Sequence, residues 1–279
     1  MRLTIALGLL MTAACDRTAL EDREAPFGPS VIDAAEIQDL LLTAGNPDES
    51  AAYFAAALAE EPDRADFRRG LAISLVRAKR YPEASRVFQE MVTLNQAEPQ
   101  DLVEYAFLEA RLQNWSAAES LAASLPGGLV SPRRYLLEAM LADHQQDWAN
   151  ADAAYAQAES LSPNPASVLN NWGVSQMSRG DLPAAEDTFM RALSFNSRLF
   201  SAKNNLAIVR GLQGNYQLPV VPMTEKEKAL ILNNLGLIAL RQGERNIAKG
   251  LFAAAVETHP QHYAGAADRL AALEAVVEN

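Results

Sequence analysis

Few residues of this 279-residue chain have the types and spacing that catalysis requires. The sequence contains no GxSxG, no HExxH and no glycine-rich phosphate loop, and no serine, histidine and aspartate can be arranged as a triad. His259 and His262 form an HxxH around Pro260, but they lack a cysteine and a clear third ligand, so we interpret them as surface-turn histidines. We therefore predict a protein that is not an enzyme, with no cofactor, no metal and no small-molecule substrate.

Cys15, the only cysteine, points instead to acylation. Residues 1–15 read MRLTIALGLLMTAAC: Arg2, then an apolar run from Leu3 to Met11, then small residues. The run is too short to span a bilayer and is typical of an export signal. Its end resembles a bacterial lipobox, with Thr12 where leucine is usual; the alternative is an ordinary signal peptide with a chance cysteine. We predict a lipoprotein signal peptide over 1–15, with Cys15 as the lipidated residue.

The charge and the segment after the cysteine indicate where the chain would lie. Residues 16–30 are charged, contain two prolines and show no periodicity, which predicts a flexible tether. A net charge of −11 argues against a nucleic-acid partner. Stable anchoring needs more than one acyl chain, and a triacylated Cys15 would meet this requirement, which predicts a membrane-anchored lipoprotein facing the periplasm. The outer membrane is favoured; Asp16, which follows the cysteine, leaves the inner membrane open.

A short phrase recurs in the C-terminal half at 170–173 (NNWG), 204–207 (NNLA) and 233–236 (NNLG). The first interval is 34 residues, which is the period of the tetratricopeptide repeat, and the second is 29. Residues 166–199 resemble that family, with small residues at positions 8, 20 and 27 and an aromatic residue at 24: Gly173, Ala185, Ala192 and Phe189. The resemblance implies an all-α tetratricopeptide-repeat solenoid over 31–279, of about six to seven helix-turn-helix units with a C-terminal capping helix. Trp115, Trp148 and Trp172 are predicted core residues.

The sixth unit breaks this frame. Pro219 and Pro222 rule out a second helix there, and Thr224 with Glu227 has the pattern of a capping box that starts the next helix. The chain is therefore predicted to cross an irregular strap at 217–223, whose apolar part is Leu218, Pro219, Val220, Val221, Pro222 and Met223. The strap is either a packed connector or a docking element for a partner.

The inward positions of the first helices predict a peptide-binding groove in the last three units. Its predicted residues are Asn170, Val174, Met177, Asn204, Ile208, Leu212, Asn233, Leu237, Leu240 and Arg241. The alternative is that the neighbouring asparagines, Asn171, Asn205 and Asn234, pack the helices together. A basic cluster earlier in the chain suggests an acidic peptide or phospholipid head groups, or else a solvated face. It comprises Arg64, Arg68, Arg69, Arg77, Lys79 and Arg80.

The last third resembles a family of assembly lipoproteins. The segments QGNYxLPVVPMT, NNLGLIALRQGE and AKGLFAAAVETHPQHY are similar to TadD lipoproteins of the Flp (tight-adherence) pilus system. The resemblance implies a non-enzymatic, pilotin-like scaffold that aids assembly or localisation of the outer-membrane secretin, with a protein partner and a lipid anchor. The alternative is a general periplasmic repeat-lipoprotein adaptor for cell-wall enzymes or outer-membrane protein assembly.

The lipid-anchor hypothesis predicts that Cys15→Ser releases the protein from membranes, because serine cannot take the thioether-linked lipid. Membrane and periplasmic fractions of cells producing each form would be compared by immunoblot. An unchanged distribution would end the lipoprotein interpretation.

Overall fold

Helices are the only regular elements in the part of the chain that the computed structural model describes, residues 40–261 and 263–275. Cys15, the signal peptide, the tether at 16–30 and His262 lie outside these residues, so their predicted roles stay predictions. After a helical stretch at 40–43, the helices are α1 (Pro47–Glu60), α2 (Ala65–Arg77), α3 (Tyr81–Thr93), α4 (Pro99–Arg111), α5 (Trp115–Ala123), α6 (Pro132–His144), α7 (Trp148–Leu161), α8 (Ala166–Ser178), α9 (Leu182–Phe195), α10 (Phe200–Leu212), α11 (Glu225–Arg241), α12 (Arg245–Thr258) and α13 (Ala264–Ala275).

Consecutive helices pack as antiparallel pairs, and the pairs stack in chain order. The pairs are α2–α3, α4–α5, α6–α7, α8–α9 and α11–α12; α1 is the second helix of a first unit, and α13 packs on α12 as the end cap. The predicted capping helix is therefore present, within the described residues, at Ala264–Ala275. We refer to the first and second helix of each unit as helix A and helix B.

Small residues on helix A let helix B approach closely enough for an aromatic ring to fill the gap. A Cβ atom added to Gly173 would lie 2.6 Å from Cε1 of Phe189, and one added to Gly236 would lie 2.7 Å from Cε1 of Phe252. Both rings have no solvent exposure. In three earlier units an unexposed alanine takes the equivalent position on helix A: Ala72, Ala106 and Ala139. Further unexposed alanines lie on the B helices: Ala84, Ala118, Ala151, Ala158, Ala185, Ala192, Ala248 and Ala255. This alternation of small and large residues fixes the spacing of the layers.

The turn that follows helix A contains a left-handed residue in six units, including the sixth unit, where no helix B follows. The fifteenth residue of the repeat unit has a positive φ each time: Lys79, Gln113, Gln146, Gly180, Gly214 and Gly243. A residue in the left-handed conformation just after a helix ends that helix, so the chain leaves helix A at this point. Glycine adopts it without a steric penalty, whereas lysine and glutamine do so at some cost.

The sixth unit has helix A but no helix B. No helix forms between the end of α10 at Leu212 and the start of α11 at Glu225. The side chain of Thr224 accepts from the backbone N–H of Glu227, and the carboxylate of Glu227 accepts from the N–H of Thr224, which confirms the predicted capping box. The strap at 217–223 therefore replaces a helix, as the two prolines predicted.

The contact between Gly236 and Phe252 predicts that Gly236→Ala lowers the free energy of unfolding by about 1–3 kcal/mol, because the methyl group overlaps the buried ring. Gly250 is the matched control: it lies on exposed surface of α12 and an added Cβ meets nothing within 4 Å. Gly250→Ala should raise stability by about 0.5–1 kcal/mol, since alanine favours the helix. Urea unfolding measures both; two changes of the same sign would contradict the close-approach model.

Candidate functional site

The concave surface contains a cleft of about 510 Å³ formed by the A helices α4, α6 and α8. Residues of successive units line it at equivalent positions of their A helices, and one residue each from α5 and α7 completes it. The lining residues are Phe107, Arg111, Trp115, Met140, Asp143, His144, Tyr155, Asn171, Val174, Ser175 and Ser178. We call this the concave cleft.

Aromatic rings form much of its wall. The rings of Trp115 and His144 are stacked, with centroids 4.0 Å apart and an interplanar angle of 8°. Trp172 packs at the edge of the core, 6.0 Å from the ring of Tyr155, and its Nε1–H donates to Asp152 at 2.6 Å. The prediction that all three tryptophans are core residues is therefore right only in part: each is partly exposed, and Trp115 faces the cleft because it starts a helix B beside the concave surface.

Asp143 is the only carboxylate that lines the cleft. Its Oδ2 accepts from the hydroxyl of Tyr155 at 2.8 Å, and its Oδ1 accepts from Ser175 Oγ at 2.6 Å. Burial raises the pKa of Asp143, and the two hydrogen bonds offset this only in part. Burial also raises the pKa of Tyr155, and the neighbouring Asp143 carboxylate adds to that effect. Three successive helices, α6, α7 and α8, thus meet at one carboxylate.

The repeated asparagines form a ladder that joins units. In the last two A helices, position 6 donates to position 5 of the preceding A helix: Asn205 Nδ2 to Asn170 Oδ1 at 3.1 Å, and Asn234 Nδ2 to Asn204 Oδ1 at 2.7 Å. The capping helix continues the pattern, since Nη1 of Arg269 donates to Asn233 Oδ1 at 3.2 Å. For Asn205 and Asn234 the structure therefore supports the alternative of a packing role. Such bonds contribute about 0.5–1.5 kcal/mol each.

The predicted groove residues of the last three units differ in accessibility. Val174 and Leu212 are 39% and 41% exposed, whereas Asn233 is 5% exposed. Of the others, Arg241 is exposed, and the remainder are partly buried: Asn170, Met177, Asn204, Ile208, Leu237 and Leu240. Only Val174 also lines the concave cleft. Whether these residues bind a partner stays a prediction.

The sequence interpretation missed most of the cleft because it followed the asparagine phrase, which is confined to the last three units. The inward positions that predicted the groove include residues 9, 12 and 13 of each unit, and they would have identified the cleft if applied to the third and fourth units. They correspond there to Phe107, Arg111, Met140, Asp143 and His144.

The strap is largely packed. Pro219 is buried, Leu218 and Met223 pack against the cluster around Ile231 and Leu235, and Val221 packs against the cluster around Leu206. These contacts occupy the place of the missing helix, as expected of a connector. Val220 is 100% exposed beside an apolar depression of about 400 Å³ between the strap, α9 and α10, and the docking alternative stays a prediction.

An ion pair between buried Lys203 and partly exposed Glu227 joins the two helices that flank the strap. Lys203 is 3% exposed and its Nζ donates to both carboxylate oxygens of Glu227 at 3.2 Å. Burial opposes ionisation of Glu227, but bonds from Thr224 and Lys203 outweigh it and lower the pKa of Glu227. The first residues of α11 are thus tied to α10 by charge as well as by apolar contact.

The basic cluster near the N-terminal end bonds largely within the protein. Arg69 makes a forked contact with Asp101, Arg77 donates to the carbonyls of Leu41 and Gly45, and Arg68 is buried. Arg64 pairs with Asp66 and Glu61, and Arg80 pairs with Glu83 and Asp48. The cluster therefore joins neighbouring helices, which leaves few free cations for an acidic ligand.

Three further observations apply to residues 40–261 and 263–275. No group of three or more histidine, cysteine, aspartate or glutamate side chains there could hold a metal ion. His259 Nδ1 accepts from the backbone N–H of Gln261 at 3.1 Å. No helix in this part of the chain is both long and apolar enough to cross a membrane.

The raised pKa of Asp143 predicts a pH-dependent effect of Asp143→Asn. Its contribution to stability is full below the unfolded-state pKa, near 3.8, and is lost as pH rises through the folded-state value. The amide can still accept from Tyr155 and donate to Ser175, but it does not titrate. We therefore expect the stability of the variant relative to the wild type to be most favourable at about pH 7 and to decrease toward about pH 4.

Urea unfolding at several pH values would measure this difference, with Asp187→Asn, an exposed position on α9, as the control. A stability difference for Asp143→Asn that stays constant across the range would show that the carboxyl has no raised pKa.

Comparison with known proteins identifies the architecture. A family model described as the tetratricopeptide repeat matches residues 39–101 and 136–199. A chain from the crystal structure of the APC/C hetero-tetramer Cut9-Hcn1 is 16% identical with a TM-score of 0.57, covering 89% of this chain and 50% of that one. This chain thus spans half the length of that relative. A tetratricopeptide repeat protein from Parabacteroides merdae is 15% identical with a TM-score of 0.55, covering 86% of this chain and 96% of that one.

No curated protein sequence matches the chain. At these identities the structural likeness shows the fold alone, and it agrees with the repeat model and with the predicted all-α class. The chain therefore has the fold of a tetratricopeptide-repeat solenoid.

Proposed function

We propose that this chain is a lipid-anchored, non-enzymatic scaffold that binds a protein partner during assembly of the Flp (tight-adherence) pilus. The partner is the outer-membrane secretin, which the scaffold helps to assemble or localise. The observation that carries the binding role is the concave cleft of about 510 Å³, which is open and lined by side chains of three successive units. A concave surface built from repeated A helices suits a segment of another protein.

The pilus assignment rests on the TadD-like segments at 213–224, 233–244 and 248–263. They belong to one packed block in the structure: the strap, α11 and α12, with Leu218 contacting the clusters of both helices. A resemblance concentrated in one contiguous block supports a shared role for that block. The anchor at Cys15 would hold the scaffold at the outer membrane, where the secretin assembles; an inner-membrane location is the other outcome that fractionation would reveal.

A pair of matched substitutions tests the proposal and locates the docking surface. Val174→Asp places a charge on the exposed wall of the concave cleft, and Val220→Asp makes the same change at the fully exposed tip of the strap. We expect the pilus secretin to co-purify with the wild type and with Val220→Asp, and to be reduced about tenfold or more with Val174→Asp, because a charge in an apolar contact is costly.

Circular dichroism would check that both variants keep their helicity. Loss only in Val220→Asp would place docking on the strap. Failure of the wild type to capture a secretin, with recovery of cell-wall enzymes or outer-membrane assembly proteins instead, would replace the pilus role by the general adaptor.

A further inference from the structure

The concave cleft contains a carboxylate with no counter-ion of its own. Asp143 takes part in no ion pair within the described residues, and its two partners, Tyr155 and Ser175, are neutral donors. Arg179 acts on Asp143 electrostatically, but its Nη2 donates to both oxygens of Asp152 instead. Two neutral hydrogen bonds satisfy the geometry of a carboxylate and leave its charge unbalanced.

The surroundings of Asp143 match the shape of a long basic side chain. The stacked rings of Trp115 and His144 and the side chain of Met140 provide apolar surface in the same cleft. Lysine and arginine carry an apolar stem that packs against such surface and a charged head that seeks an anion. Tryptophan faces also attract cations.

We propose that the concave cleft binds a lysine or arginine side chain of the protein partner, with Asp143 as its counter-ion. This inference deepens the proposed function and depends on its protein-binding part, though not on the pilus assignment. Charge complementarity selects this occupant: the chain carries a net charge of −11, which draws basic segments toward it. An acidic side chain would be repelled by Asp143.

The other charged residue of the lining, Arg111, does not reverse this choice. It is exposed, and its guanidinium lies 4.9 Å from the ring centroid of Tyr81, the first residue of α3. From there it can donate to backbone carbonyls of a bound segment, which any partner sequence provides.

A library of short random peptides, panned against the purified full-length chain, tests the inference. We expect the retained peptides to share a lysine or arginine. Replacing that residue by norleucine, or using the isosteric Asp143→Asn variant, should weaken binding about tenfold or more, because a close charge pair is removed. Asp187→Asn makes the same charge change on exposed α9 and should leave affinity within about twofold.

Three results would overturn the inference: retained peptides that share an acidic residue and lose binding with Arg111→Ala, equal binding by Asp143→Asn, or no peptide enriched over that variant. The pilus proposal is judged separately. Basic peptides that need Asp143, together with no secretin capture, would leave the inference standing and remove the pilus role. Secretin capture that is unaffected by Asp143→Asn would leave the pilus role standing and remove the inference about Asp143.

Discussion

The close approach of helix A to helix B is the constraint on which the rest of the structure depends. It requires glycine where the rings of Phe189 and Phe252 cross helix A, because a Cβ atom on Gly173 or Gly236 would lie less than 3 Å from the buried ring. Because each pair is fixed in this way, the A helices form one surface and the B helices form the other. The concave cleft exists because α4, α6 and α8 are held side by side by contacts made on their opposite faces.

Polar contacts then set how one unit meets the next. The asparagine ladder uses side chains that both donate and accept, so the same pair of positions can be repeated without creating an unpaired charge. Asp143 departs from this pattern, because it joins three helices through a carboxylate whose ionised form burial disfavours. An amide could accept from Tyr155 and donate to Ser175, so packing alone does not require a carboxylate at this position.

Much of the fold could be predicted from the sequence. The 34-residue interval, the small residues and the two prolines of the strap identified the period, the layers and the missing helix, because each depends on local sterics. The turns of the earlier units were harder to recognise, since Lys79, Gln113 and Gln146 adopt the left-handed conformation that glycine signals in later units.

The site was less predictable than the fold. The recurrence of asparagine marks positions 5 and 6, and a sequence does not show whether such amides bond across units or face a groove. The cleft has no repeated phrase: Trp115 and His144 meet only because a helix B begins beside the end of the next helix A. Contacts between units, unlike those within one, leave no short-range signal.

The strap has a consequence for how the solenoid holds together under stress. In a linear array each unit is stabilised largely by its immediate neighbours. At the sixth unit the second helix is missing, so that support comes from the strap side chains, the Lys203–Glu227 pair and the direct contact of α10 with α11, which includes the bond from Asn234 to Asn204. We expect cooperativity to be weakest there, so that residues 225–275 can open as one block while 47–212 stay folded. A partner that binds both blocks at once would bind only while the C-terminal block is folded, and its binding would therefore suppress this local unfolding.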